Sequence, residues 1–150
     1  EKGAKRLGIN IIETRLRDGA SADKELPSAD RILCDVPCSG LGVLSRKPEI
    51  RYKDDLIDTD LADIQYKILC ESAKYLKKGG KLVYSTCTLN PQENNINTAK
   101  FLAEHNDFEG VELELPPKLK RAFDEKPYEI TLMPHTFDGD GFYIAVLTRR

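Results

Sequence analysis

Two cysteines stand where two apolar runs end. Cys38 lies in Asp35-Val36-Pro37-Cys38-Ser39-Gly40, after Ile32-Leu33-Cys34, and Cys87 lies in Tyr84-Ser85-Thr86-Cys87-Thr88, after Leu82-Val83-Tyr84. In a parallel α/β sheet, ligands and chemistry gather at the carboxyl ends of the strands. Two thiols delivered to one such edge imply a reaction in which one sulfur attacks and a second group helps it leave. Thr88-Leu89-Asn90-Pro91 puts Cys87 just before a predicted helix, whose amides and dipole favour a thiolate. The plainer reading of a cysteine after a strand is a small buried hydrophobe. Asp35, beside Pro37-Cys38, can hold an amine or a protonated ring nitrogen, or it can simply form a turn. Gly40 and Gly42 allow backbone to approach a ligand closely, or serve turn geometry alone.

The other candidates carry less. Cys34 falls inside a strand and Cys70 inside a helix, so both read as structural. The spacing 34, 38, 70, 87 lacks the tight pairs of a zinc site, and no metal is expected. Asp18, in Arg17-Asp18-Gly19, can accept from an adenine amino group at a sheet edge or start a turn. Arg46, Lys47, Arg51 and Lys53 form a basic cluster directly after the Cys38 loop, placed for phosphate contact or for solvent. His105 and His135 belong to no constellation.

The elements that must position these groups alternate. Residues 9–16 form a short β-branched run, predicted as a strand. Residues 19–30 are polar and contain Pro27, hence loop. Residues 31–36 form a compact apolar strand stopped by Pro37. The spacing of Leu61, Ile64, Ile68, Leu69 and Leu76 predicts a helix over 58–78, capped by Asp58, Thr59 or Asp60 and stopped by Lys77-Lys78-Gly79-Gly80. A strand over 81–85 follows. Asn90-Pro91-Gln92-Glu93 opens a second helix reaching about His105, with Asn90 and Glu93 as a capping box. Strands are predicted over 109–115, 128–133 and 141–148. This order describes an open α/β sheet with an antiparallel edge element.

Composition bounds the function. A chain of 150 residues with 40% hydrophobic content fills one domain. Charges nearly cancel to net −2, and an isoelectric point near 5.8 argues against a strongly basic nucleic-acid module while allowing a local basic patch. No apolar run approaches the roughly 20 residues of a membrane span, and residues 1–6 lack the apolar core of a signal peptide. A cytoplasmic protein with reduced thiols is expected. The first residue is not Met, and residues 1–7 read as the end of a helix closed at Gly8, so the chain looks like a piece of a longer protein.

The motif blocks resemble one family. Asp35-Val36-Pro37-Cys38-Ser39-Gly40-Leu41-Gly42-Val43 with Arg46-Lys47-Pro48-Glu49-Ile50 is similar to motif IV of the RNA cytosine-5 methyltransferases of the Sun (Fmu) type. Tyr84-Ser85-Thr86-Cys87-Thr88 followed by Pro91-Gln92-Glu93-Asn94 is similar to their motif VI, and Asp138-Gly139-Asp140-Gly141-Phe142-Tyr143 to their last motif. The likeness spans nearly the whole chain and is greatest to the bacterial small-subunit rRNA branch.

That resemblance implies roles. Cys87 would be the nucleophile, Cys38 would assist release from the methylated base, and Asp35 would contact both the methionine end of S-adenosylmethionine and the cytosine edge. Asp18 would meet the adenine, with Asp35 and Pro37 as the remaining cofactor contacts. Arg46, Lys47 and Arg51 would contact rRNA. With aromatic residues at only 7%, basic contacts rather than stacking would carry the affinity.

The implied fold is a partial Rossmann-like methyltransferase sheet whose first strands are missing. The family's glycine-rich cofactor block has no match here, nor does the acid-ended strand after it. Residues 1–150 would be the C-terminal part of a class I methyltransferase catalytic domain, lacking an N-terminal RNA-binding region. By itself the fragment would be inactive, with impaired cofactor binding. In the family order 3-2-1-4-5-7-6, residues 9–16 would be strand three, left without its neighbour and so frayed, relocated or paired with another chain. The outer side of residues 31–36 would be an open edge and a template for self-association. Two other readings compete: a non-catalytic RNA-contact or folding module, and a thiol redox enzyme, which the absence of Cys-x-x-Cys disfavours.

Overall fold

The apolar runs that precede the two cysteines become paired, parallel strands, the first at the edge of the sheet and the second inside it. A computed structural model describes residues 1–52, 59–122, 124–136 and 138–150. Its elements are α1 (Lys2–Arg6), β1 (Ala29–Asp35), a 3-10 turn (Pro48–Tyr52), α2 (Thr59–Lys74), β2 (Leu76–Thr86), α3 (Asn95–Glu104), β3 (Phe108–Gly110), β4 (Glu129–Leu132) and β5 (Phe142–Arg149). The sheet order is β1-β2-β5-β3, with β4 also on β5. β1 and β2 run parallel, whereas β5 lies antiparallel to β2, β3 and β4. This is the open mixed sheet that the alternation of elements predicts.

One core holds the layers together. Leu69 and Ala73 of α2 and Phe101 of α3 pack on Leu82, Tyr84, Tyr143, Ala145 and Leu147 of the sheet, all buried. Phe101 meets Phe108 edge-on at 5.1 Å and stacks on His105 at 4.1 Å, which gives that histidine a packing role. No helix among the described residues is long and apolar enough to cross a membrane.

Several element boundaries differ from those the sequence predicts. Residues 9–16 form no strand, and Ile11 and Leu16 stand 91% and 106% exposed. A β-branched run becomes a strand only with a partner for its backbone groups, and none of the described strands pairs with it. The outer edge of β1 likewise carries no strand among the described residues, and Leu33 there is 71% exposed.

The first long helix ends at Lys74, not Lys78. The Tyr75 carbonyl accepts the Ala29 N–H at 2.8 Å and Leu76 pairs with Ala29, so the chain has already entered the sheet. Lys77–Gly80 then bulge out between the pairs Ala29↔Leu76 and Arg31↔Lys81, with Gly79 at φ +72. The glycines that look like a helix stop serve a break in strand register instead. The second helix begins at Asn95, because residues 91–94 form an inward turn. The strand predicted over 109–115 shrinks to Phe108–Gly110. The Val111 N–H still donates to the Val146 carbonyl of β5 at 2.8 Å; beyond it the chain turns away, and the Leu113 N–H donates to the Pro127 carbonyl. Of the other sequence-based assignments, Asp58 and Lys53 lie outside the described residues.

Candidate active site: two thiols on one rim

β1 and β2 finish side by side. Asp35 pairs with Ser85, the Val36 N–H donates to the Ser85 carbonyl at 3.3 Å, and the Ser85 hydroxyl donates to Asp35 Oδ1 at 3.0 Å. Both chains then leave the sheet, and their first loop residues bring Cys38 Sγ and Cys87 Sγ to 3.1 Å from one another. Both cysteines are half-buried and free. Burial, reinforced by the neighbouring Cys87 sulfur, pushes the Cys38 thiol up to about 12. Cys38 therefore keeps its proton at neutral pH.

Backbone contacts fasten three loops around this pair. The Gly42 N–H donates to the Cys87 carbonyl at 3.0 Å, and the Gly141 N–H donates to the Gly42 carbonyl at 2.7 Å. A Cβ added at Gly42 would lie 2.1 Å from the Gly141 oxygen and 2.8 Å from the Cys87 oxygen. Glycine is needed here for close approach of two other stretches of backbone. Gly40 is needed for its conformation, at φ +76 against Ile50. The Asp138–Tyr143 block thus joins the site through Gly141. Asp140 adds a second tie, accepting from Ser45 and pairing with Arg46 at 2.9 Å.

Below the thiols lies a buried polar layer. Thr86 Oγ1 donates to Asn94 at 2.6 Å, Asn94 Nδ2 donates to the Thr88 carbonyl at 2.9 Å, and the Tyr84 hydroxyl donates to the Glu93 carbonyl at 2.6 Å. The Glu93 side chain points inward among Ser39, Gln65 and Asn90. Glu93 reads in sequence as half of a capping box. Asn90 does close the turn, accepting the Gln92 N–H at 3.2 Å, but Glu93 faces the site. Its inward role is missed because a capping box and a buried anchor have the same spacing. The one legible signal is an acid so soon after the second thiol.

The remaining candidates divide. Asp35 is at the rim and exposed, and Pro37 contributes its carbonyl, which accepts Gln65 Nε2 at 2.8 Å. Arg46, Lys47 and Arg51 are exposed on the loop that follows. Asp18 stays within its own turn, accepting the Ala20 N–H at 2.9 Å and the Ser21 hydroxyl at 2.7 Å, and these bonds lower its carboxyl below the ordinary range. No hydrogen bond or ion pair ties it to the thiol loops among the described residues. Its neighbour Gly19 packs instead on Ile68, beside a cleft of about 350 Å³ lined by Leu26, Pro27, Ile32 and Tyr75. Burial pushes the Cys34 thiol up to about 11, against the opposing effect of its contact with Ser72, and Cys70 is half-buried beside Tyr66. Neither lies on the rim.

Comparison with known proteins adds a context for this geometry. A family profile described as 16S rRNA methyltransferase RsmB/F matches residues 1–148. "Probable ribosomal RNA small subunit methyltransferase B" of Bacillus subtilis is 41% identical across 100% of the chain, which covers 34% of that protein. Its namesake in Synechocystis is 38% identical across 96% of the chain and 33% of its own length. The chain thus spans about a third of the curated relatives it matches. Among solved structures, NSun6 from Pyrococcus horikoshii with SFG is similar over 99% of this chain and 37% of its own, with a TM-score of 0.83 at 29% identity.

Proposed function

The chain belongs to the 16S rRNA methyltransferase RsmB/F family, and from that premise we propose that its thiol rim is the cytosine-methylating centre of a small-subunit rRNA enzyme. The observation that carries the reading is the 3.1 Å approach of two sulfurs at the carboxyl ends of parallel strands. Cytosine C5 is a poor nucleophile. A sulfur that adds to C6 turns the ring into an enamine-like species whose C5 can accept a methyl group. A base must then remove the C5 proton so that the sulfur can be eliminated. The target base has to be splayed out of its stack to reach such a rim.

The residues divide this work. Cys87 is the attacking sulfur. Asp35, exposed at the strand end and held by Ser85, faces the charge that develops near N3. Cys38 is protonated at the start, partly because Cys87 lies beside it. Once Cys38 has given its own proton to solvent, its sulfur, 3.1 Å from Cys87, can take up the one on C5. Arg46, Lys47 and Arg51 hold phosphate without reading sequence.

S-adenosylmethionine would supply the methyl group. The described residues fit it in part: the Asp35 carboxylate suits the ammonium of its methionine end. Asp18 is exposed and accepts one hydrogen bond on each oxygen within its own turn, which leaves acceptor capacity for an adenine amino group. The chain covers about a third of its relatives' length and is read as the C-terminal part of a larger catalytic domain, cytoplasmic, and inactive by itself.

Two substitutions in the full-length protein test the assignment. Cys87→Ala should abolish methyl transfer and any covalent RNA adduct. Cys38→Ala should leave protein trapped on RNA through Cys87, visible as a denaturant-resistant band. Methylation surviving Cys87→Ala unchanged would remove Cys87 as the nucleophile.

A further inference from the structure

The two thiols meet across 49 residues of sequence, each on irregular chain beyond the last pairing of β1 with β2. Some contact other than the ladder must set their separation. The Gly42 N–H to the Cys87 carbonyl and the Ser39 hydroxyl to Thr88 Oγ1 at 2.7 Å are two such contacts, and the buried Glu93, 1% exposed, is the one that gathers most donors. Its Oε2 accepts the Ser39 N–H at 2.9 Å and Gln65 Nε2 at 2.7 Å, and its Oε1 accepts the Ser39 hydroxyl and Asn90 Nδ2 at 3.0 Å. Ser39 follows Cys38 directly, Asn90 belongs to the Cys87 loop, and Gln65 fixes both to α2 while also donating to Pro37. An ionised carboxylate is an acceptor only, and here donors fill both of its oxygens. No Lys, Arg or His pairs with it among the described residues. A buried charge is costly and persists only where hydrogen bonds repay it.

We propose that Glu93 is the positioning residue that holds the Cys38 loop against the Cys87 loop and so helps set the two sulfurs at working distance. The inference rests on the catalytic reading above only for its consequence in turnover. The tie is unequal. The Cys87 loop is also fixed within itself, by Thr86 to Asn94 and by Asn94 to the Thr88 carbonyl. The Cys38 side has no such internal side-chain ties among the described residues. It is held across, by Ser39, which gives Glu93 both its N–H and its hydroxyl and also meets Thr88 Oγ1, and by the Gly42 N–H to the Cys87 carbonyl. Loss of the carboxylate therefore displaces Cys38 more than Cys87, and release should suffer more than attack.

Glu93→Gln in the full-length protein tests this. The substitution is nearly isosteric but puts an amide donor among four donors. Two measurements separate positioning from catalysis. First, closure of the Cys38–Cys87 disulfide by diamide, two thiols oxidised as the diazene is reduced to the hydrazine, is followed by mass mapping of the linked peptides. A misplacement of about 1 Å can cost on the order of 10²-fold in an intramolecular reaction, so closure should slow by at least about tenfold. Second, kcat should fall by a similar factor, with KM for RNA changing by less than about threefold and RNA adduct accumulating.

Unchanged closure in a folded variant overturns the proposal, whatever happens to methylation. Slowed closure without any adduct, in wild type or variant, supports the positioning role and counts against the catalytic reading instead. Should Glu93→Gln fail to fold, Ser39→Ala carries the same measurements. It removes one of the four bonds and also the Ser39–Thr88 contact, which Thr88→Val removes while leaving the Glu93 bonds in place. Closure should therefore slow by a smaller factor than that expected for Glu93→Gln but more than in Thr88→Val, and closure no slower than in Thr88→Val would overturn the proposal.

Discussion

The thiol rim and residues 9–28 are both irregular chain, yet they are built in opposite ways. At the rim, backbone from three distant loops meets within single hydrogen bonds, and buried polar side chains satisfy one another. Along residues 9–28 the ties are mostly local: Asp18 to Ser21, Arg15 to Glu13, Asp23 to Glu25. The chief tertiary anchors there are the Asp23 N–H donating to the Tyr75 hydroxyl at 2.6 Å and Arg17 lying over the Tyr75 ring. The rim has almost no apolar periodicity and is fixed. The N-terminal stretch has the composition of a strand and lacks one. Order in irregular chain follows from long-range partners for buried polar groups, not from apolar content.

That contrast can be broken at either end. The largest effect belongs to Gly42→Ala. Its new methyl collides with the backbone of two other loops, and overpacking of this kind should cost about 3 kcal/mol in urea unfolding. A loss below about 0.5 kcal/mol, the level of an ordinary surface change, would show the rim to be as loose as residues 9–28.

An intermediate effect comes from pH. Cys34 and Cys38 are raised from the ordinary 9.0 to about 11 and about 12, chiefly by burial, and buried Tyr84 and Tyr143 are raised too. Between pH 9 and those values the unfolded chain has released protons that the native state still holds. The stabilisation is therefore complete below about pH 9 and is lost as pH rises toward 11 and 12. The urea midpoint should fall over that window, and Cys34→Ala should flatten the fall. A midpoint unchanged across it would mean the thiols are not shielded as the fold requires.

The smallest effect is expected at Leu16→Ser in the 150-residue chain. This fully exposed side chain should matter by less than about 0.5 kcal/mol. A cost above 1 kcal/mol would show that its apolar face is covered after all, by a second copy or by another part of the chain.

Much of the fold was legible. The runs before Cys38 and Cys87, the helix at 59–74 and the final strand follow from periodicity and punctuation, because they are long or strongly apolar. Their boundaries were not, where one residue type serves two ends. Gly79-Gly80 can stop a helix or absorb a strand bulge, and Leu76 can line a helix or pair in a sheet; the Tyr75 to Ala29 bond decides both. Asp18 shows the same ambiguity at a site, since an Asp-Gly turn and a ligand contact ask for the same residue.

By itself the sequence determined the candidate groups: two thiols, an acid and a basic loop, each attached to the end of a recognisable strand. It could do so because covalent order fixes which residue follows which strand. Only the tertiary structure decided that the sulfurs lie 3.1 Å apart, that Glu93 turns inward and that residues 9–16 stay unpaired. Each of those outcomes depends on which distant donor or strand is available to complete a buried polar group, and that choice is made across the fold and not along the chain.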